Sequence, residues 1–307
     1  MRLDRWFRRH YPQLNHTRLE KLLRTGQIRI DGRRAKSSDR LAAGQIVRVP
    51  PIDGATAHPA REDAPVSARD ASFVRQLVIH EAPDFFVLNK PPGVAVQGGT
   101  KTARHLDALL PALAKKGEER PRLVHRLDRD TSGALLIARS LGSAASLSQQ
   151  FRTKAITKIY WALVEGVPTP KSGRIDLALA KTGRRGDERM TPQEEGEGQR
   201  AITAYRVISH IGRQMAWVAL VPITGRTHQL RAHMAAIGHP IIGDPKYGNA
   251  TPQGLPSGLQ LHARSLTLAG KGGRPITVTA PLPPHMAQTW RLLGLTEGEA
   301  DQTLAAN

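Results

Sequence analysis

The segment Leu123-Val124-His125-Arg126-Leu127-Asp128-Arg129-Asp130-Thr131-Ser132-Gly133 gathers side chains able to do chemistry. Asp128 lies between Arg126 and Arg129, with His125 three residues before it. Neighbouring cations favour the charged form of a carboxylate. A charged carboxylate held in place acts as a nucleophile or as a general base, and the residue types alone leave both roles open. Its position is set by the next stretch of chain. Turn-forming Thr131, Ser132 and Gly133 lead into the apolar run Ala134-Leu135-Leu136-Ile137-Ala138, which reads as a buried strand. Asp128 is therefore expected at the edge of a core, on a rigid loop.

Two further blocks carry candidate groups. Thr157-Lys158-Ile159-Tyr160-Trp161-Ala162-Leu163-Val164-Glu165-Gly166 reads as a strand with Tyr160 central. Ile223-Thr224-Gly225-Arg226-Thr227-His228-Gln229-Leu230-Arg231-Ala232-His233 leads into a helix. There Leu230, Met234 and Ile237 give the core face, and Gly238 and Pro240 supply the stop. Arg226, Gln229 and His233 share another face of that helix, and Arg231 lies beside Thr227 and His228. His228 and His233 are five residues apart and point to different helix faces, and no His-Glu-x-x-His pattern occurs, so no metal site is expected.

His125-Arg126-Leu127-Asp128-Arg129-Asp130-Thr131-Ser132-Gly133 resembles the active-site motif of the RluA family of RNA pseudouridine synthases, and is most similar to its RluC type. The blocks around Tyr160 and Arg231 resemble the family in the same order, as do Asn89-Lys90-Pro91-Pro92-Gly93 and Gly243-Asp244-Pro245-Lys246-Tyr247-Gly248. The resemblance runs from about Leu77 to Trp290. It implies an α+β fold, a mixed, mainly antiparallel sheet flanked by helices, with the site in a central cleft. It implies that Asp128 attacks or deprotonates a flipped-out nucleotide, that Tyr160 packs on the base and assists proton transfer, and that Arg231 pairs with Asp128. Arg126 would fill the gap in the stack or hold the flipped backbone, Arg226 would bind phosphate or support the loop, and Arg129 would contact RNA. The implied substrate is large-subunit (23S) ribosomal RNA. The alternatives are a non-catalytic RNA-binding or ribosome-assembly protein on the same scaffold, and an RNA-cutting hydrolase using the histidines.

Composition agrees with an RNA partner. The net charge is +19, from 45 Lys+Arg against 26 Asp+Glu, and the sequence pI is near 11.0. Such an excess favours a polyanion. No apolar stretch is long enough to span a bilayer, and the charged N-terminus lacks the apolar core of a secretory signal, so a cytoplasmic protein with no membrane partner is expected. With 0 cysteines, disulfides, thiolate metal sites and cysteine nucleophiles are excluded. Aromatics are only 4%, so RNA recognition is expected to lean on arginine, lysine and backbone rather than on an aromatic stacking sheet. The reaction needs no redox cofactor, and neither a Gly-x-Gly-x-x-Gly fingerprint nor a P-loop occurs. A monomer is expected.

The N-terminal stretch reads as a small module. Leu3, Trp6 and Phe7 give one side of a helix, and Arg2, Arg5 and Arg9 a basic stripe. Thr17 can cap a second helix with Leu19, Leu22 and Leu23 inward, Arg18, Lys21 and Arg24 around its surface, and Gly26 at its end. A strand at Gln27–Ile30, an Asp31-Gly32 turn, basic Arg33, Arg34 and Lys36, and a strand ending at Val49 come next. Two basic helices and a small sheet over residues 1–50 resemble an S4 RNA-binding domain. Residues 51–71 read as a linker, 72–295 as the catalytic body and 296–307 as a frayed polar tail. Within the body, Leu77–His80 and Phe85–Leu88 read as a hairpin, Leu106–Leu113 as a short helix and Ser140–Arg152 as a longer one. Thr182–Gln199 reads as a mobile surface loop, Gln260–Leu268 and Pro275–Thr279 as strands, and a last helix begins near Pro284.

Overall fold

The structure is a computed structural model that describes residues 1–11, 14, 16–51, 66–98, 104–183, 188–193, 197–270 and 273–300, without the side chains of His16 and Thr17. The chain divides into two units, Met1–Pro65 and Val66–Asn307.

In the first unit, α1 (Leu3–His10) and α2 (His16–Arg24) enclose a core of Leu3, Phe7, Leu14, Leu19, Leu23, Ile28 and Ala35. The helices form because their apolar residues recur at the helical period and bury one stripe. Helix α2 starts at His16, so Thr17 lies inside it and not at its cap. Gly26 adopts φ +71°, the left-handed stop, and Gln27 N–H returns to Leu22 O at 2.9 Å. Strands β1 (Arg29–Ile30), β2 (Arg33–Arg34) and β3 (Val47–Arg48) form a sheet in the order β2-β1-β3. Asp31 and Gly32 both have positive φ, the requirement of a two-residue hairpin turn, so Arg33 and Arg34 pair back on β1. Arg5, Arg9, Lys21, Arg24, Arg33 and Arg34 are exposed and Arg18 is half-buried. Arg2, the N-cap of α1, is exposed too, and its guanidinium pairs with Asp4 at 2.8 Å.

The second unit opens with α3 (Ala68–Gln76), capped by Ser67, where the sequence suggested the end of a linker. Next come β4 (Val78–Glu81), β5 (Phe85–Lys90), α4 (Leu106–Leu109) with a 3-10 turn to Leu113, β6 (Arg122–Leu123) and β7 (Ser132–Ala138). Helix α5 (Leu141–Arg152) is capped by Ser140, with a reciprocal bond from Ser143. Strands β8 (Thr157–Glu165), β9 (Ser172–Thr182), β10 (Arg189–Gln193), β11 (Gln199–Ile211) and β12 (Met215–Pro222) precede α6 (Gln229–Ala236). Strands β13 (Leu261–Ala269) and β14 (Pro275–Thr279) and helix α7 (Pro284–Leu292) complete the order.

These strands build one 11-stranded sheet with the path β10-β9-β11-β12-β8-β13-β7-β5-β4, β14 and β6 pairing from its side. Every pairing among the described residues is antiparallel except β13 with β7. Gly133 sits where those two run side by side. A Cβ there would lie 2.3 Å from Ala263 O, and φ is +108°. Only glycine fits, and this fixes where the Asp128 loop enters β7.

Alternation along β8 sets the two faces. Tyr160, Ala162 and Val164 join the main core, whereas Trp161 and Leu163 join a second cluster with Trp217 and Trp290. Trp161, Trp217 and Trp290 meet edge to face, with ring centroids 4.6 and 5.4 Å apart.

Two further expectations fail in this unit. The stretch Thr182–Gln199 is not wholly a loop, since Arg189–Gln193 pairs with β9 as an edge strand; residues 184–187 and 194–196 of it lie outside the described residues. The tail is not frayed through residue 300. Glu297 pairs with Arg264, and Ala300 is buried in the tryptophan cluster. Residues 52–65 of the expected linker and 301–307 of the tail lie outside the described residues.

Candidate active site

The loop from β6 to β7 carries Asp128, and three unrelated contacts fix it. His125 is half-buried, and its Nε2 accepts the Leu136 N–H at 2.8 Å. Burial, then the charge of Lys158, pushes its pKa down to about 3, so it is neutral and not one of the cations around Asp128. Lys90, wholly buried at the end of β5, donates from Nζ to Pro91 O, Val94 O and Arg129 O at 2.8, 2.9 and 2.7 Å. Its three donors are all used, which clamps the loop just after Asp128. Burial lowers its pKa to about 7 against the pull of Asp130 and Asp128. Leu127, between the two arginines, is buried in the main core.

The arginines beside Asp128 in sequence turn elsewhere. Arg126 Nη2 donates to Thr227 Oγ1 at 2.8 Å, and Arg129 Nε to Gly93 O at 3.0 Å. The guanidinium facing Asp128 is that of Arg231, whose Nη1 stands 3.8 Å from Asp128 Oδ2. Arg231 thus faces Asp128, as the resemblance implied, and it has a second carboxylate partner that the sequence did not point to. Its tight partner is Asp244, with Nε and Nη2 each 2.7 Å from a carboxylate oxygen in a bidentate fork. Asp244 is fully buried and also accepts the N–H groups of Lys246 and Tyr247 at 2.9 and 3.1 Å. Burial alone would raise its pKa, but the Arg231 bonds outweigh it and hold the carboxyl below its usual range.

Around this pair runs a second chain of contacts. The Tyr247 ring lies 5.2 Å from the Arg231 guanidinium. Tyr247 Oη accepts the Met190 N–H at 2.7 Å and meets His228 Nδ1 at 3.0 Å. The hydroxyl hydrogen can then go to Nδ1, leaving the ring proton on Nε2. His228 is held in the left-handed region at φ +50°, and burial lowers its pKa. Gln229 braces the turn before α6, with Nε2 donating to Ile202 O and Thr203 Oγ1 and Oε1 accepting from Thr224 and the Arg226 N–H. Gln229 and His233 both face Thr203. Arg226 precedes the helix and does not share that face; it is exposed, with Nε 3.3 Å from Arg200 O.

Asp128, Tyr160 and Arg231 all line one cleft of about 760 Å³, with Arg126, Arg226, Thr227 and His228. Asp128 keeps 22% of its side chain exposed. Tyr160 is nearly buried, and burial with the charge of Asp128 pushes its phenol pKa up, so the hydroxyl keeps its proton. The cleft is large enough for a nucleotide. It offers an accessible carboxylate, a guanidinium anchored from behind, and an aromatic ring with a protonated hydroxyl. Sequence reasoning did not single out Asp244, Tyr247, His228 or Lys90 for a role. Asp244, Tyr247 and Lys90 lay in family-like blocks that also read as ordinary turns. Among the described residues, no group of three or more His, Cys, Asp and Glu could hold a metal, and no helix is long and apolar enough to cross a membrane.

Residues 84–236 match the family model described as RNA pseudouridylate synthase. A ribosomal large subunit pseudouridine synthase C of Rickettsia bellii is 33% identical over 289 residues, which cover 92% of this chain and 95% of that protein. The chain belongs to the RNA pseudouridine synthase family. The enzyme of the same description in Vibrio cholerae is 32% identical to this synthase over 94% of the chain and 91% of its own length. Among solved structures, human RNA pseudouridylate synthase domain containing 4 superposes on the synthase with TM-score 0.62 at 29% identity, covering 74% of this chain and 96% of that one. The mixed, mainly antiparallel sheet with its helices is thus a pseudouridine synthase fold, and the curated relatives it matches are of the RluC type.

Proposed function

We propose that this synthase converts uridine to pseudouridine in large-subunit (23S) ribosomal RNA, with Asp128 acting on a nucleotide flipped out of its stack. The C1′–N1 bond breaks, the uracil turns, a C1′–C5 bond forms, and the hydrogen from C5 is replaced by one on N1. Atoms and electrons balance within the nucleotide, so the reaction draws on no cofactor. Extrusion is required because the glycosidic bond is shielded in a stacked helix. Asp128 acts as nucleophile or base, Tyr160 packs on the uracil with its hydroxyl protonated, and Arg231 orients Asp128. Arg126, Arg129 and Arg226 contact the RNA backbone.

The single observation carrying this reading is that Asp128, Tyr160 and Arg231, far apart in sequence, line one nucleotide-sized cleft. The relatives' names supply the ribosomal substrate. Residues 1–50 act as an S4-like anchor, their exposed arginines and lysines gripping phosphates. The enzyme works as a monomer in the cytoplasm, where ribosomal RNA is made. The deciding experiment incubates the purified protein with uridine-containing large-subunit RNA and digests it to nucleosides. Pseudouridine supports the reading; strand fragments would point to a hydrolase, and unchanged bound RNA to a non-catalytic binding protein.

A further inference from the structure

Lys158 takes no part in the reaction as proposed. It lies on β8 two residues before Tyr160, and side chains two apart on a strand share a face about 7 Å from one another. Both line the cleft that holds Asp128. Lys158 is half-buried, and burial alone lowers its pKa. Among the described residues no carboxylate pairs with it and no hydrogen bond uses its ammonium; its contact is the Phe151 ring, 5.8 Å from Nζ. The ionisable neighbour whose charge state it influences is His125, which is neutral.

A desolvated cation without a counter-charge costs free energy. By contrast, Lys90, wholly buried, has three carbonyl partners. Further cations stand on the same wall. Arg152 in the last turn of α5 and Lys154 just beyond it also line the cleft and are exposed. Arg152 is already aimed, its guanidinium bonded to Gln149 Oε1. Three cations from one stretch of chain thus line the cleft, and the substrate of the cleft is a polyanion.

We propose that Lys158, flanked by Arg152 and Lys154, is the binding site for a backbone phosphodiester next to the flipped nucleotide, holding the strand so that the base lies against Tyr160. The inference rests on the RNA-modifying reading of the cleft. In it, the cost of burying Lys158 in the free enzyme is recovered when the phosphate arrives. Function and stability then oppose each other at one residue, an opposition a structural lysine would not show.

The test is Lys158→Met beside Lys158→Arg, in the full-length protein. RNA binding is measured by filter binding across salt concentrations, pseudouridine formation by nucleoside analysis, and stability by thermal unfolding. Lys158→Met is expected to weaken RNA binding about 10-fold or more and to reduce the slope of log K against log salt by about 0.7–0.9. The kinetic deficit falls mainly in KM. The unfolding midpoint stays level or rises, since an unpaired buried charge is gone, and Lys158→Arg restores most of the affinity. An unchanged salt slope in Lys158→Met, or a lower midpoint with normal RNA affinity, overturns the assignment. If the wild type makes no pseudouridine, the functional reading fails separately, and the binding comparison still decides whether Lys158 meets a phosphate.

Discussion

Replacing Asp244 by Asn tests how the active-site guanidinium is held. Arg231 and Asp244 are joined by two 2.7 Å bonds, with side-chain exposures of 3% and 0%, so water can replace neither partner. Asparagine keeps the shape and one acceptor oxygen, but turns an N–H₂ towards a guanidinium that can only donate. Breaking a buried pair from one side costs about 3–5 kcal/mol. The retained acceptor puts Asp244→Asn near the lower end, about 3 kcal/mol, which for a unit of this size lowers the unfolding midpoint by about 6–12 °C. Without its anchor, Arg231 is free to close the 3.8 Å gap and bind Asp128 directly, tying up the group that must meet the substrate. Losing one pre-organised charge contact costs about 10²–10³ in rate, so single-turnover pseudouridine formation should fall on that scale. Thermal unfolding and single-turnover assays on saturating RNA measure both effects. Adding Arg231→Met removes the stranded charge, so the double variant should unfold at a higher temperature than Asp244→Asn alone. A midpoint within about 1–2 °C of wild type and an unchanged rate in Asp244→Asn would refute the account.

Asp128→Asn should abolish pseudouridine formation with unfolding and RNA binding nearly unchanged; more than a few per cent of wild-type product would remove Asp128 from the chemistry. Tyr160→Phe should bind RNA normally yet turn over slowly, whereas Tyr160→Ala should lose binding as well; full turnover in the Phe variant would rule out a role for the hydroxyl. Removing residues 1–50 should weaken RNA binding and flatten its salt slope by several units, at about 0.7–0.9 per phosphate contact, while single-turnover chemistry on a saturating short RNA survives; an unaltered slope would mean that those residues do not grip phosphates. Lys90 should titrate near pH 7 in the folded protein, as followed by the NMR shift of its Cε, against about 10.4 when unfolded. Because the unfolded state then binds the extra proton between those values, the Lys90 contribution should make stability rise with pH from about 7 to about 10. A titration midpoint above about 10 would mean that desolvation does not outweigh the carbonyls and carboxylates that favour the ammonium.

What was legible in the sequence was local. The helix expected over Ser140–Arg152 is there, with Ser140 as its cap and Leu141–Arg152 as its body. The run Ala134–Ala138 is apolar throughout because β7 is buried on both faces. Tyr160 and Arg231 both line the cleft, where the family resemblance of their blocks, and not their periodicity, pointed. What was not legible depends on side chains meeting across the fold. Arg126 and Arg129 flank Asp128 in the chain, yet one reaches Thr227 and the other Gly93, while the cation that faces Asp128 comes from α6. No local pattern says that Arg231 chooses Asp244 over Asp128. Helix α3 buries only Val74 of its nine residues, too weak a stripe to stand out from a linker. Strand β10 is an edge strand among charged and glycine-rich residues, and its pairing with β9 leaves no apolar alternation to read.

The edge-to-face tryptophans give the molecule a built-in optical reporter. Three of the four tryptophans, Trp161, Trp217 and Trp290, sit in one apolar cluster of the second unit, whereas Trp6 lies in the first. Their shielded indoles emit towards the blue, and water reaching them on unfolding shifts that emission to the red. Trp161 is bonded in sequence to Tyr160, on the opposite face of the same strand. A protein carrying Trp6→Phe would therefore glow from the catalytic unit alone, and a change in its spectrum on adding RNA would be felt through the backbone of β8.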